Sequence, residues 1–185
     1  MANVAVVYHS GYGHTKVVAE SVVRGAEAAG ARVTLIPVAE WQEHAQALEA
    51  ADAIVFGSPT YMGDVSGPMK TFMDETSKLW FTQSWKDKLA AGFTNSLGLS
   101  GDKFNTLVSL FTFAMQHGMI WIGLGLLPGE RDGKKVNRVT AYSGLMTQSD
   151  NAPAEETPPA DDHFTAELFG ERVALAAARW VSGKA

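Results

Sequence analysis

The run Val4-Ala5-Val6-Val7-Tyr8 is continuously apolar rather than alternating, and it ends at Ser10-Gly11-Tyr12-Gly13-His14-Thr15. A strand without alternation suits a sheet covered on both faces, which is the condition of parallel sheets crossed over by helices. The rest of the chain repeats that theme. From Thr15 the residues Val18, Val22, Ala26 and Ala29 recur at helical spacing until Gly30, a natural stop. Arg32 to Pro37 reads as a second strand, followed by a helical stretch through Ala45, Leu48 and Ala51. Ala53-Ile54-Val55-Phe56-Gly57 is a third strand, and Ser58-Pro59-Thr60-Tyr61 is expected to begin a loop.

Gly67-Pro68 then opens a helix carrying Met69, Phe72 and Met73, with proline at its favoured first position. Leu89 to Thr94 is the fourth strand, and Asn95 to Gly101 its loop. Phe104, Leu107, Val108, Phe111 and Met115 line one side of the next helix, and Met119-Ile120-Trp121-Ile122 gives a short fifth strand. Glu130-Arg131-Asp132-Gly133 reads as a charged turn, and the Pro-, Asp- and Glu-rich stretch from Tyr142 to Asp162 as a long surface loop. Phe164, Leu168, Val173, Leu175 and Trp180 supply a final helix. Strands alternating with helices imply a parallel sheet with right-handed crossovers, hence an α/β fold. With 185 residues the expectation is one domain spanning the chain.

Ser10 to Thr15 lies where a strand hands over to a helix, and there backbone N–H groups and the helix dipole favour an anion. Gly11 and Gly13 permit a sharp turn and close approach, while Ser10 and Thr15 offer hydroxyl donors. A monophosphate fits. An ordinary turn with a threonine cap is the alternative that this loop alone leaves open. The pattern G-x-x-x-x-G-K-[ST] is absent and the loop has no Lys, which disfavours a nucleoside triphosphate, and a G-x-G-x-x-G dinucleotide site is equally unsupported.

Composition narrows the chemistry further. With no Cys there is no thiolate nucleophile, disulfide or iron–sulfur ligation, so redox chemistry requires a bound cofactor. The formal charge of −5 with scattered basic residues argues against nucleic acid. Asp52, Asp64, Asp74, His14 and His117 are dispersed and show no metal-ligand spacing, so no metal is expected. The start of the chain shows no leader pattern and no apolar stretch is long enough to span a bilayer, so a cytoplasmic protein without an integral membrane segment is expected.

Four segments, in order, carry a more specific signal: Tyr12-Gly13-His14, Gly57-Ser58-Pro59-Thr60, Phe72-Met73-Asp74-Glu75-Thr76 with Leu79-Trp80, and His117-Gly118-Met119. In these the chain resembles the WrbA-type NAD(P)H:quinone oxidoreductases. That resemblance implies a flavodoxin-like three-layer sandwich whose parallel five-stranded sheet has the order 2-1-3-4-5. It also implies FMN as cofactor, NAD(P)H as electron donor, and a quinone or other flat acceptor. By position, Ser10, Gly11, Tyr12, Gly13, His14 and Thr15 would hold the phosphate. Pro59, Thr60, Tyr61, Met62 and Gly63 would border the isoalloxazine, and Asn95, Ser96, Leu97, Gly98, Leu99, Gly101 and Asp102 would approach it from the loop after strand four. Trp80 and His117 would stand near the flavin face as catalytic residues, with His117 also contacting the cofactor and offering a proton or hydrogen bond to the acceptor.

Three departures from the family matter. The insertion usual between strands two and three is missing, which puts a tetramer in doubt. Tyr61-Met62 replaces the common Arg-Phe, and the loop after strand four is poorer in Gly and Thr. A homo-oligomer, dimer or tetramer, would draw on Trp41, Phe81, Trp85 or Trp121, although for any one of them packing within the monomer is the first expectation. Two other functions fit the same fold: a flavodoxin-type electron carrier, and an FMN-binding protein without activity of its own.

Overall fold

A computed structural model describes residues 1–183. Its strands and helices follow in the order β1 (Asn3–Tyr8), α1 (His14–Ala28), β2 (Arg32–Pro37), α2 (Ala45–Ala50), β3 (Ala53–Tyr61), β4 (Asp64–Val65), α3 (Gly67–Glu75), α4 (Ser77–Phe81), β5 (Leu89–Ser96), α5 (Lys103–Gln116), β6 (Ile120–Ile122), β7 (Gly129–Arg131), β8 (Lys134–Val136), β9 (Leu145–Gln148) and α6 (Ala160–Ser182). The main sheet runs β2-β1-β3-β5-β6, all parallel. Numbered by its principal strands alone, this is the expected order 2-1-3-4-5.

Each central strand is split between two cores by its pleat. Val4, Val6 and Tyr8 meet Val18, Val22, Phe169 and Val173 from α1 and α6, whereas Ala5 and Val7 meet the opposite cluster of Leu48, Phe72, Leu110 and Phe113 from α2, α3 and α5. Alternate residues therefore face different helix layers, and both layers are apolar, so the strand reads as an unbroken apolar run. On one side α1 and α6 cross at two glycines. A Cβ on Gly25 would lie 1.8 Å from the Glu167 carbonyl oxygen, and one on Gly170 2.0 Å from that of Val22. No side chain fits between these backbones.

Several boundaries differ from the sequence reading. β3 continues through Ser58-Pro59-Thr60 to Tyr61, where a loop is expected, because Ser58 and Pro59 keep their register with Thr94 and Asn95 of β5. β1 pairs only as far as Gly57, so Pro59 sits where β3 has an open flank and its missing N–H breaks no ladder on that side. β5 likewise reaches Ser96, two residues beyond the expected end.

The fifth position in the sheet is shared. β6 covers Leu89 to Ala91 of β5, and the upper part, Phe93 to Ser96, pairs instead with β9. β9 arises inside the stretch read as a surface loop, and its Leu145 and Thr147 are fully buried. The charged turn at Glu130 to Gly133 is the tip of the antiparallel β7–β8 hairpin.

The apolar side expected for α5 is also corrected. Leu107, Leu110, Phe113 and Ala114 face the core, whereas Phe104, Val108, Phe111 and Met115 are exposed. The helix is apolar on more than one face, and its sequence therefore did not decide which face packs.

Candidate active site

The loops after β1, β3, β5 and β9 meet at the carboxyl edge of the sheet. There they line a cleft of about 620 Å³. β2 and β3 lie on opposite sides of β1, so the crevice sits where the chain reverses its direction of progress across the sheet, the expected place for a ligand in an open α/β fold. Ser10, Tyr12, His14 and Thr15 form one wall, Pro59, Thr60 and Tyr61 the second, and Asn95, Ser96 and Leu97 the third.

The first wall has the properties of an anion cradle. α1 begins after Gly13, whose φ of 92° lies in the left-handed region, and no side chain caps the helix. Among the described residues, none of the backbone–backbone hydrogen bonds outside regular elements starts from an amide between Ser10 and Thr15. The Ser10 hydroxyl is buried and has no partner among the described residues. Free first-turn amides and an orphaned hydroxyl together leave several donors and no acceptor. A phosphate monoester is one group that would supply the missing acceptors.

The second wall is fixed by hydroxyls. Thr60 Oγ1 lies 2.7 Å from Thr94 Oγ1 and 2.8 Å from Thr106 Oγ1, joining β3, β5 and α5 beneath the cleft. Tyr61 packs edge-on against Tyr12, with ring centroids 6.3 Å apart. Burial raises the Tyr61 phenol above its ordinary value, with Tyr12 adding to this and a hydrogen bond with the Gly11 backbone opposing it. Both rings are partly open to solvent and frame the mouth of the cleft.

A fourth wall, Ser149, Asp150, Asn151, Ala152 and Pro153, lies just past β9. None of these residues is expected from the sequence. The signal available was the short alternation Leu145-Met146-Thr147-Gln148, hidden in a stretch rich in Pro and acidic residues. This wall is tied to the others. His14 Nε2 is 2.8 Å from the Ala152 carbonyl oxygen. Thr147 and Ser149 hydroxyls donate to Asn95 Oδ1 at 2.8 and 3.1 Å. With its oxygen doubly engaged, Asn95 keeps its amide N–H groups for the cleft.

The remaining expected residues fall around this centre. Gly11 lies beneath the Tyr61 phenol, and Gly13 lines an adjoining cleft with Lys16 and Trp41. Met62, Gly63, Gly98, Leu99, Gly101 and Asp102 lie outside the lining of the main cleft. Met62 is fully exposed in the turn into β4. Asp102 starts α5 in the left-handed region, with φ of 54°.

Trp80 and His117 are not brought to this cleft. They share a separate one with Asp64, Thr76, Val108 and Phe113. His117 is 1% exposed, its ring lies 4.5 Å from that of Trp85, and its Nε2 is 3.0 Å from Thr76 Oγ1. Burial lowers its pKa to about 4, so it is neutral at pH 7. Of the aromatics considered for an interface, Trp85 is in the core, Trp41 bonds to Glu75 and Trp121 to the Ser143 carbonyl, leaving Phe81 largely exposed. Among the described residues no helix is long and apolar enough to cross a membrane.

Comparison with known proteins agrees with this geometry. The family model for NADPH-dependent FMN reductases matches residues 4–128. A flavodoxin, FldP, of Pseudomonas aeruginosa (strain UCBPP-PA14) is 41% identical over 180 residues, covering 94% of this chain and 96% of that protein. An NAD(P)H dehydrogenase (quinone) of Paracoccus denitrificans (strain Pd 1222) is 30% identical over 203 residues, covering 100% and 98%. The crystal structure of a WrbA-like flavodoxin from Agrobacterium tumefaciens matches with a TM-score of 0.77 at 44% identity, covering 97% of this chain and 99% of that one. The chain therefore belongs to the NADPH-dependent FMN reductase family, as a WrbA-type flavodoxin-like FMN protein.

Proposed function

We propose that the chain is an FMN-dependent oxidoreductase passing electrons from NAD(P)H to a quinone or another flat acceptor. The observation that carries this reading is the pairing of an unsatisfied anion cradle, Ser10 to Thr15, with an open mouth framed by Tyr12, Tyr61 and Leu97. The cradle binds the phosphate, and the mouth leaves room for a planar reactant to stack. FMN, when bound, supplies the hydride and single-electron chemistry. The protein's part is to hold the cofactor and present donors to it, Ser10 and Thr15 at the phosphate and Asn95 along the ring, with Thr60 fixing the wall beneath. The quinone-dehydrogenase relative supports this choice of acceptor.

The test is an absorbance cycle on the FMN-loaded protein. NADPH is expected to bleach the flavin band, and a soluble benzoquinone to restore it. The flavodoxin relative favours a second reading, an electron carrier serving protein partners. Bound FMN that no nicotinamide reduces at a useful rate would select the carrier.

Trp80 enters this proposal through self-association, whereas His117 stays buried within the chain. Trp80 shares its cleft with Val108 of the exposed α5 stripe, and Phe81 stands next to it in sequence. A second copy docking on this face would cover Phe104, Val108 and Phe111, an apolar surface of the kind found at interfaces. Light scattering is expected to give a multiple of the chain mass, reduced to one chain by Phe104→Glu with Val108→Glu. A wild-type protein that scatters as one chain at all concentrations would remove this part of the proposal.

A further inference from the structure

Lys103 opens α5, and its side chain is completely buried. This placement is unfavourable twice over. A buried ammonium loses its hydration, and the start of a helix is the positive end of its dipole. Among the described residues Lys103 makes no ion pair. The acidic group that acts on it, Asp162, is already held by the fork of Arg138 at 2.6 and 2.9 Å and by the Gln148 amide at 2.8 Å. The Lys103 ammonium instead donates to two neutral groups, the carbonyl of Gly98 and, at 3.0 Å, that of Leu99. Burial lowers its pKa to about 8, with Asp162 opposing and Arg138 adding to the effect, so it carries its charge at pH 7.

The bonds made by this ammonium decide which way the loop after β5 faces. Gln148 Nε2 donates to the Leu97 carbonyl at 3.1 Å, and Ser96 Oγ adds a second bond to Gly98 at 3.2 Å. Three successive carbonyls are thus held by side chains of the same molecule. Among the described residues, none of the backbone–backbone hydrogen bonds outside regular elements starts from an amide between Leu97 and Gly101. Peptide groups whose oxygens are fixed on a cation have their N–H ends polarised and free to meet negative charge. Ser96 and Leu97 line the cleft, which places this row of donors at its edge.

We propose that Lys103 is a positioning residue: it fixes the 97–101 loop with its amides available to the cleft, and its uncompensated charge favours reduced over oxidised flavin there. The proposal rests on the reading that this loop approaches the flavin. Reduction adds negative charge to the bound cofactor, and a buried cation with no carboxylate of its own is the group best placed to respond to it.

Lys103→Met and Lys103→Arg test it with two readouts besides turnover. Replacing a buried ammonium by an apolar chain of similar length is compatible with folding, which thermal melting checks. In the full chain without FMN, Lys103→Met is expected to lower the backbone 15N order parameters across 97–101 from the rigid range, about 0.85, to the flexible one, below about 0.6. In the FMN-loaded protein it is expected to weaken binding of reduced relative to oxidised FMN about tenfold, which lowers the two-electron midpoint potential by about 30 mV. Lys103→Arg, keeping the charge, restores most of the potential. Unchanged order parameters in Lys103→Met overturn the positioning role. Lowered order parameters with an unchanged potential and FMN affinity overturn the proposal through its premise, because the loop then does not meet the flavin. Equal loss of potential in both variants overturns the role of charge.

Discussion

Arg138→Met is expected to destabilise the protein by about 3–5 kcal/mol, the range for removing one partner of a buried ion pair. The Asp162 side chain is 3% exposed and that of Arg138 21%, so neither charge is well served by solvent. Arg138 meets both carboxylate oxygens and also reaches the Gln148 carbonyl and side-chain oxygens, each at 3.1 Å. One guanidinium thus joins the segment after β8, the end of β9 and the first turn of α6. Its removal strands a carboxylate that burial already pushes above its ordinary pKa, despite the Gln148 amide and Arg138 acting against that shift. The sign of the pH effect follows. Without Arg138 the carboxyl rises further in the folded state, so the variant takes up a proton on folding and its deficit narrows as pH falls through that value. Urea unfolding at two pH values measures both effects. Arg138→Met with Asp162→Asn should recover part of the loss, whereas Arg138→Lys keeps the charge but loses the two-pronged contact.

Gly13→Val is expected to weaken FMN binding by about one to two orders of magnitude, with secondary structure by circular dichroism unchanged. The φ of 92° is strained for any residue with a Cβ, at a cost of about 1–3 kcal/mol. A Cβ there would also lie 2.9 Å from Ala154 Cβ, on the segment that closes the fourth wall. The chain must relieve this by turning the loop, and the amides of Tyr12 to Thr15 turn with it. Fluorescence titration of the flavin-free protein gives the dissociation constant. Ser10→Ala together with Thr15→Ala should act in the same direction by removing donors while leaving the backbone in place. Wild-type affinity in all these variants would move the phosphate to another loop.

The layered fold was legible because its strongest elements are self-announcing. β1, β3 and β5 are buried on both faces, and burial of that kind leaves an unbroken apolar string. Ser10 to Thr15 was legible as a candidate anion site from its glycines and hydroxyls between a strand and a helix, although an ordinary capped turn fits the same residues. Lys103 was not legible, because a lysine at a helix start ordinarily points into water and only the folded loop shows otherwise. The outward stripe of α5 was misread because a helix apolar on two faces does not say which is covered. β9 escaped for want of length: four residues whose alternation is readable only once β5 is known to have an unpaired flank.

The fourth wall of the cleft also has a place in time. Thr147 and Asn95, which join it to the sheet, are 52 residues apart in sequence, whereas β1, β2 and β3 succeed one another with only a helix or turn between. Closing so long a span costs only logarithmically more than closing a short one, but the cost falls due before any contact rewards it. The β2-β1-β3 pairings close shorter spans than this one, so they are expected to form first, and Ser10 to Thr15 lacks its fourth wall until the returning chain docks. A ligand entering at that stage meets the cradle before its last side is built.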